Sequence, residues 1–167
     1  MQTFLQSLES NDFHPIDIVE DLMIDNHWEY DRVAENNLYL EIGGKWADYQ
    51  ISFTWLSQSR ILQFSCAYDM RVPKKRMNMA FNLISNLNQK LNLGHFEIWE
   101  EDRWPMFRYS LPVPNGKKVD ITQLEMVCIA SISECELYYP VFQFVLWGNN
   151  NAEEAISKAM LETHGVA

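Results

Sequence analysis

Residues Pro73–Leu93 read PKKRMNMAFNLISNLNQKLNL. Met77, Ala80, Phe81, Ile84, Leu87 and Leu91 recur there at steps of three and four, which places them on one face of a helix. Runs with the two-residue alternation of strands lie on both sides. Upstream, Ala47, Tyr49, Ile51, Phe53 and Trp55 alternate with Trp46, Asp48, Gln50, Ser52 and Thr54, and Leu62, Phe64, Cys66 and Tyr68 repeat the pattern. Downstream, His95–Glu101 and Met106–Leu111 read as two further strands joined by Glu101–Pro105. The prediction is an antiparallel sheet folded over the central helix.

The rest of the chain fits that frame. Residues 1–13 read as a lead-in and 14–167 as a single domain. A first helix opens at His14–Pro15, with proline in a favoured first position and Ile16, Val19, Leu22 and Met23 as its stripe. Trp28–Ala34 and Leu38–Ile42 pair through Glu35-Asn36-Asn37, and turns at Gly43–Gly44 and Ser57–Arg60 complete a four-strand meander. Gly94 is expected to stop the central helix. Asp120, with Gln123 three residues on, is expected to cap a helix running to about Tyr139, where Pro140 should kink or end it. Gly148 and Asn149–Asn151 break the chain after the apolar run Val141–Trp147, and an amphipathic helix over Ala152–Glu162 closes it. The order is α-ββββ-α-ββ-α-α, an α+β class.

Composition narrows the function. The chain has 167 residues, 47% of them apolar, enough to bury about 70% of the unfolded surface without disulfides or metal. A net charge of -10 disfavours nucleic acid and anionic membranes and suits protein partners. Three cysteines without C-x-x-C spacing, and no visible secretion signal, point to reduced thiols in a cytoplasm. The apolar stretch Ile121–Trp147 carries Glu125, Glu134, Glu136 and Pro140 and is not read as membrane-spanning.

Motifs for chemistry are weak. Cys66, Cys128 and Cys135 sit on apolar faces, where a free cysteine behaves as a small hydrophobe rather than a nucleophile. His14, His27, His95 and His164 lack metal-ligand spacing, and neither G-x-G-x-x-G nor G-x-x-x-x-G-K occurs. The carboxylates Glu100-Glu101-Asp102 and Glu153-Glu154 fit a turn and a helix start. No catalytic, cofactor or metal residue is therefore assigned, and no cofactor is expected.

Two binding features remain. Arg71, Lys74, Lys75 and Arg76 flank the start of the central helix, where positive charge opposes the helix dipole. They are either paired within this acidic chain, by Asp69 or the acidic N-terminal segment, or they bind an anion or an acidic partner. From Met1 to Asp31 there are eight acidic and no basic residues, which read as a solvated acidic face. Six tryptophans are many for this length, and Trp28, Trp46 and Trp99 fall on the less apolar face of their expected strands. They are either partner-surface aromatics or covered by a second layer.

Several stretches resemble the YbjN-like family. They include His14-Pro15-Ile16-Asp17-Ile18-Val19-Glu20, Trp28-Glu29-Tyr30-Asp31-Arg32, Trp46-Ala47-Asp48-Tyr49, Phe53-Thr54-Trp55 and Leu62-Gln63-Phe64-Ser65-Cys66-Ala67. Arg71-Val72-Pro73, Leu93-Gly94-His95-Phe96 and Met106-Phe107-Arg108 continue the series. The most specific is Glu134-Cys135-Glu136 to Tyr139-Pro140 with Phe142-Gln143-Phe144-Val145-Leu146-Trp147-Gly148, and Leu161-Glu162-Thr163 ends it. The resemblance implies a bacterial cytoplasmic regulator of sensory transduction, without catalysis. It also implies a fold similar to type III secretion chaperones, which are acidic, dimeric and α+β. It brings no established site residues.

The expectation is a non-enzymatic regulatory protein that binds another protein, as a homodimer, through the central helix or the apolar helix Ile121–Trp147. The alternatives are a secretion-type chaperone holding an extended client and an enzyme with a site assembled from distant residues.

Overall fold

The computed structural model describes residues 13–148 together with Glu154, Ile156 and Ser157. The elements are α1 (Pro15–Asp25), β1 (Tyr30–Ala34), β2 (Asn37–Gly43), β3 (Asp48–Leu56), β4 (Ile61–Tyr68), a 3-10 turn (Lys74–Arg76), α2 (Met77–Asn88), β5 (His95–Trp99), β6 (Trp104–Pro112) and α3 (Ile121–Trp147). The six strands form one antiparallel sheet in the order β1-β2-β3-β4-β6-β5. The meander is therefore as expected, and the second hairpin joins it through β6, leaving β5 at the edge. The expected lead-in 1–13 lies outside the described residues except for Phe13. The expected closing helix is described only at Glu154, Ile156 and Ser157, all helical, with Ile156 buried.

Register explains the core. Tyr30, Leu40, Ile51, Cys66, Phe107 and Phe96 are successive cross-strand partners, so one row crosses all six strands. Side chains two residues apart share a face. Phe53, Trp55, Leu62, Phe64 and Tyr68 therefore join that row on the buried face, against which α1, α2 and α3 pack. The opposite face carries Gln50, Ser52, Thr54, Gln63, Ser65, Glu97 and Arg108, a polar set suited to water.

Three features differ from their expected form. The helix within Pro73–Leu93 is shorter, because the basic run forms a 3-10 turn and α2 ends at Asn88. Its buried stripe is Ala80, Leu83, Ile84 and Leu87, which leaves Phe81 at the exposed margin. Asn88 ends the helix by turning to β5, with its amide nitrogen donating to the Phe96 carbonyl (3.0 Å) and its Oδ1 accepting from the Phe96 N–H (2.8 Å). That double bond occupies part of an otherwise open sheet edge. Gly94 opens β5 at φ +63° instead of stopping the helix.

The third difference is α3, which runs unbroken through Pro140 to Trp147. Proline inside a helix costs about 3 kcal/mol. Stopping there would unpack Val141, Phe142, Val145 and Leu146, all buried. Each such side chain contributes about 1.5–3 kcal/mol by burial, so their sum exceeds the proline cost. Asp120 caps the helix, its Oδ1 accepting from Gln123 N–H at 3.1 Å.

Candidate functional site

Two exposed surfaces carry side chains that the fold itself does not use. The first is the outer face of α3. Met126, Ala130, Ser133, Leu137, Pro140, Phe144 and Trp147 step alternately by four and three residues, the spacing of a helix-pairing seam; Ala130, Leu137 and Pro140 are half-buried, and Leu137 also packs against the core. None of them is charged. On this side of the helix Met126, Ile129, Phe144 and Trp147 leave between 52% and 66% of their surface in water. The opposite side of α3 is fixed in the core. The Tyr68 hydroxyl donates to the Cys135 carbonyl at 2.9 Å, and the rings of Tyr68 and Phe96 lie 5.3 and 5.4 Å from that of Phe142. The β2–β3 turn is tied to the helix, with the Lys45 N–H donating to Glu136 Oε1 at 2.7 Å. A Cβ at Gly44 would stand 2.3 Å from the buried Tyr49 ring as well as 1.9 Å from that same oxygen, so the turn approaches Tyr49 this closely only with glycine.

The second surface is the tip of the β5–β6 hairpin. Trp99 and Trp104 are cross-strand partners, both exposed. The Arg71 guanidinium lies 5.7 Å from the Trp104 ring and 3.7 Å from the Asp102 carboxylate. The Val72 N–H donates to the Arg103 carbonyl (2.9 Å) and Arg103 Nε donates to the Val72 carbonyl (3.0 Å). These bonds fasten the start of the basic run beside the tryptophan pair.

The residues singled out from sequence divide between these places and the interior. Arg71 is held by Asp102, and Arg76 rests on the Met79 sulfur at 3.0 Å. Lys74 and Lys75 are exposed and have no ion-pair partner among the described residues. The acids of α1 turn elsewhere. Arg32 binds Asp17 at 2.8 Å and Glu20 at 2.6 Å, so part of that face is neutralised from β1. Trp46 sits in the β2–β3 turn, exposed, with Lys45 Nζ 4.7 Å from its ring. Trp28 precedes β1 and packs half-buried on the core. It follows His27, which takes φ +56° to close α1, with the Trp28 N–H donating to the Met23 carbonyl at 3.0 Å. Trp104 was missed in the sequence because it reads as a loop residue. The signal that finds it is the hairpin register, which sets it opposite Trp99.

Thiol chemistry is disfavoured by environment. Cys66, Cys128 and Cys135 are free and buried. Burial and the Glu125 charge push the Cys128 thiol up to about 12, and burial beside Cys66 raises that of Cys135 well above its ordinary value. A thiolate nucleophile requires the reverse. On the open sheet face Arg108 binds Glu97 at 2.6 Å, an ion pair linking β5 to β6, and the His95 ring lies 3.6 Å from the same carboxylate. No group of three or more potential metal ligands occurs among the described residues. No helix among them is long and apolar enough to cross a membrane.

The fold and these surfaces define an α+β protein with one sheet face covered by helices and the other open, polar across its middle and edged by an exposed tryptophan pair. The profile of the YbjN family, described as "Putative bacterial sensory transduction regulator", matches residues 15–144, and the chain belongs to that family. Among solved structures it is similar to "YbjN, a putative transcription regulator from E. coli", with a TM-score of 0.50 and 15% identity over 90% of this chain and 91% of that one. That likeness concerns the fold. No curated protein gives a significant match.

Proposed function

We propose that this member of the YbjN family is a non-enzymatic regulator that acts by binding protein, as a homodimer, in the bacterial cytoplasm. One observation carries the reading. The uncharged outer face of α3 exposes Met126, Ile129, Phe144 and Trp147 on an element whose other side is locked into the core. Large apolar side chains gathered on one surface mark an interaction site. The hairpin tip, with Trp99, Trp104 and Arg71, offers a second surface of the composition found at binding hot spots. The adjoining Lys74, Lys75 and Arg76 suit an acidic segment of the partner. We take residues 14–167 as the functional unit.

A secretion-type chaperone reading needs an extended apolar groove for its client. Gln50, Ser52, Thr54, Gln63 and Ser65 line the middle of the open sheet face and separate Tyr39 on β2 from the Trp99–Trp104 pair, so its exposed aromatics form no continuous strip, which favours regulation by contact with a folded partner. The test is light scattering of the purified full chain, followed by capture from bacterial lysate beside the Trp99→Ala/Trp104→Ala variant. A dimer that recovers a defined folded protein, lost in the variant, is expected. A monomer whose recovered proteins match those of the variant would overturn the reading.

A further inference from the structure

We infer that the outer face of α3 pairs with the same face of a second copy, antiparallel, about a two-fold axis between Leu137 and Pro140. This rests on the homodimer reading above and specifies its interface. The argument is the order of side-chain sizes along the seam. Its N-terminal half is small, Ala130 and Ser133, and its C-terminal half is large, Phe144 and Trp147. Reversing one helix about that axis sets Trp147 against Ala130, Phe144 against Ser133 and Pro140 against Leu137. Each of these three layers joins a large residue to a smaller one, and Met126 lies beyond the paired stretch. A parallel pairing in register would stack tryptophan on tryptophan and phenylalanine on phenylalanine, while leaving a gap at Ala130.

Charge does not oppose the contact. The seam is neutral, and the nearby Glu136 is directed at the Lys45 N–H. Area sets its strength. From Ala130 to Trp147 the paired stretch is about 26 Å long and, at about 10–12 Å wide, covers roughly 280 Å² of helix footprint per partner. Stable interfaces bury about 800 Å² per partner, so the dimer is expected to dissociate measurably in the micromolar range.

Sedimentation velocity of the full chain from about 1 to 500 µM tests this, with thermal melts confirming that each variant is folded. Trp147→Ala removes the knob and Ala130→Trp fills the hole, and each is expected to weaken association at least tenfold. The double variant exchanges the two and is expected to return within about threefold of the parent. A parent that is monomeric throughout overturns the homodimer reading and this interface together. A dimeric parent unaffected by either single change, or singles that weaken it without rescue in the double, overturns this arrangement and leaves the homodimer standing.

Discussion

Two glycines with the same backbone conformation separate the costs of strain and of crowding. Gly94 has φ +63° and Gly116 has φ +67°. A side chain at either must enter the left-handed region, which costs about 1–2 kcal/mol. At Gly94 a Cβ would also stand 2.3 Å from the Phe107 ring and 2.7 Å from the Arg108 carbonyl, whereas nothing lies within 4 Å at Gly116. Forcing atoms into packed space adds about 1–3 kcal/mol. Gly94→Ala is therefore expected to lose about 2–5 kcal/mol and Gly116→Ala no more than about 2, measured by urea unfolding. Equal losses would show that β6 yields freely at the mouth of β5. The chain passes directly over the Phe107 ring, and Phe107 belongs to the row that crosses the whole sheet.

At the scale of elements, α3 is decided by its surroundings and α2 by its own pattern. Pro140 lacks the N–H that would bond the Glu136 carbonyl, yet the helix continues because its next turns are buried. Pro140→Ala restores that bond and removes the helix penalty, while adding about 0.4–1 kcal/mol of unfolded-state entropy. A net gain of about 2–2.6 kcal/mol is expected, seen as a rise of several degrees in melting temperature. A fall instead would mean that the proline shapes the helix to seat Val141 and Phe142. The same contrast sets what could be read from sequence. The strands were legible because Leu62, Phe64, Cys66 and Tyr68 alternate without interruption with half-buried residues, and all four are buried. The stripe of α2 was legible at Ala80, Ile84 and Leu87, but Phe81 was misplaced because periodicity does not say where the stripe is centred. The continuation of α3 was hidden, since tertiary burial outweighs a local breaker. The pairing of Trp99 with Trp104 was hidden because register across a hairpin depends on the loop between the strands.

At the scale of the molecule, acid–base behaviour follows from where the titratable groups are buried. Cys128, Cys135, Tyr49 and Tyr68 lie in the core. Burial raises all four, helped by the Glu125 charge at Cys128 and the Glu136 charge at Tyr49. Their protonated forms are thus favoured by folding. The stability they contribute is complete below the unfolded values, about 8.5 for cysteine and 10 for tyrosine, and is lost as pH rises toward the folded ones. Glu134, raised by burial, has the same sign in the acid range. Its contribution is present below the unfolded carboxyl value and is lost as pH rises through the folded one. A chain already at -10 gains further self-repulsion in alkali, which acts in the same direction. Stability is therefore expected to fall steeply above about pH 9. Raising Cys128 from its unfolded value of about 8.5 to about 12 corresponds to about 4 kcal/mol by pH 12. Cys128→Ala should remove that share of the slope, with a small packing loss at neutral pH as its only other cost. Melting temperature against pH, followed together with phenolate absorbance, distinguishes the cause. If the buried phenols hold the core together, phenolate from Tyr49 and Tyr68 emerges only with unfolding. Phenolate absorbance from all seven tyrosines that rises fully before the fold is lost would mean that water reaches the row beneath α3. The helix would then be less firmly seated than its packing against Tyr68 and Phe96 requires.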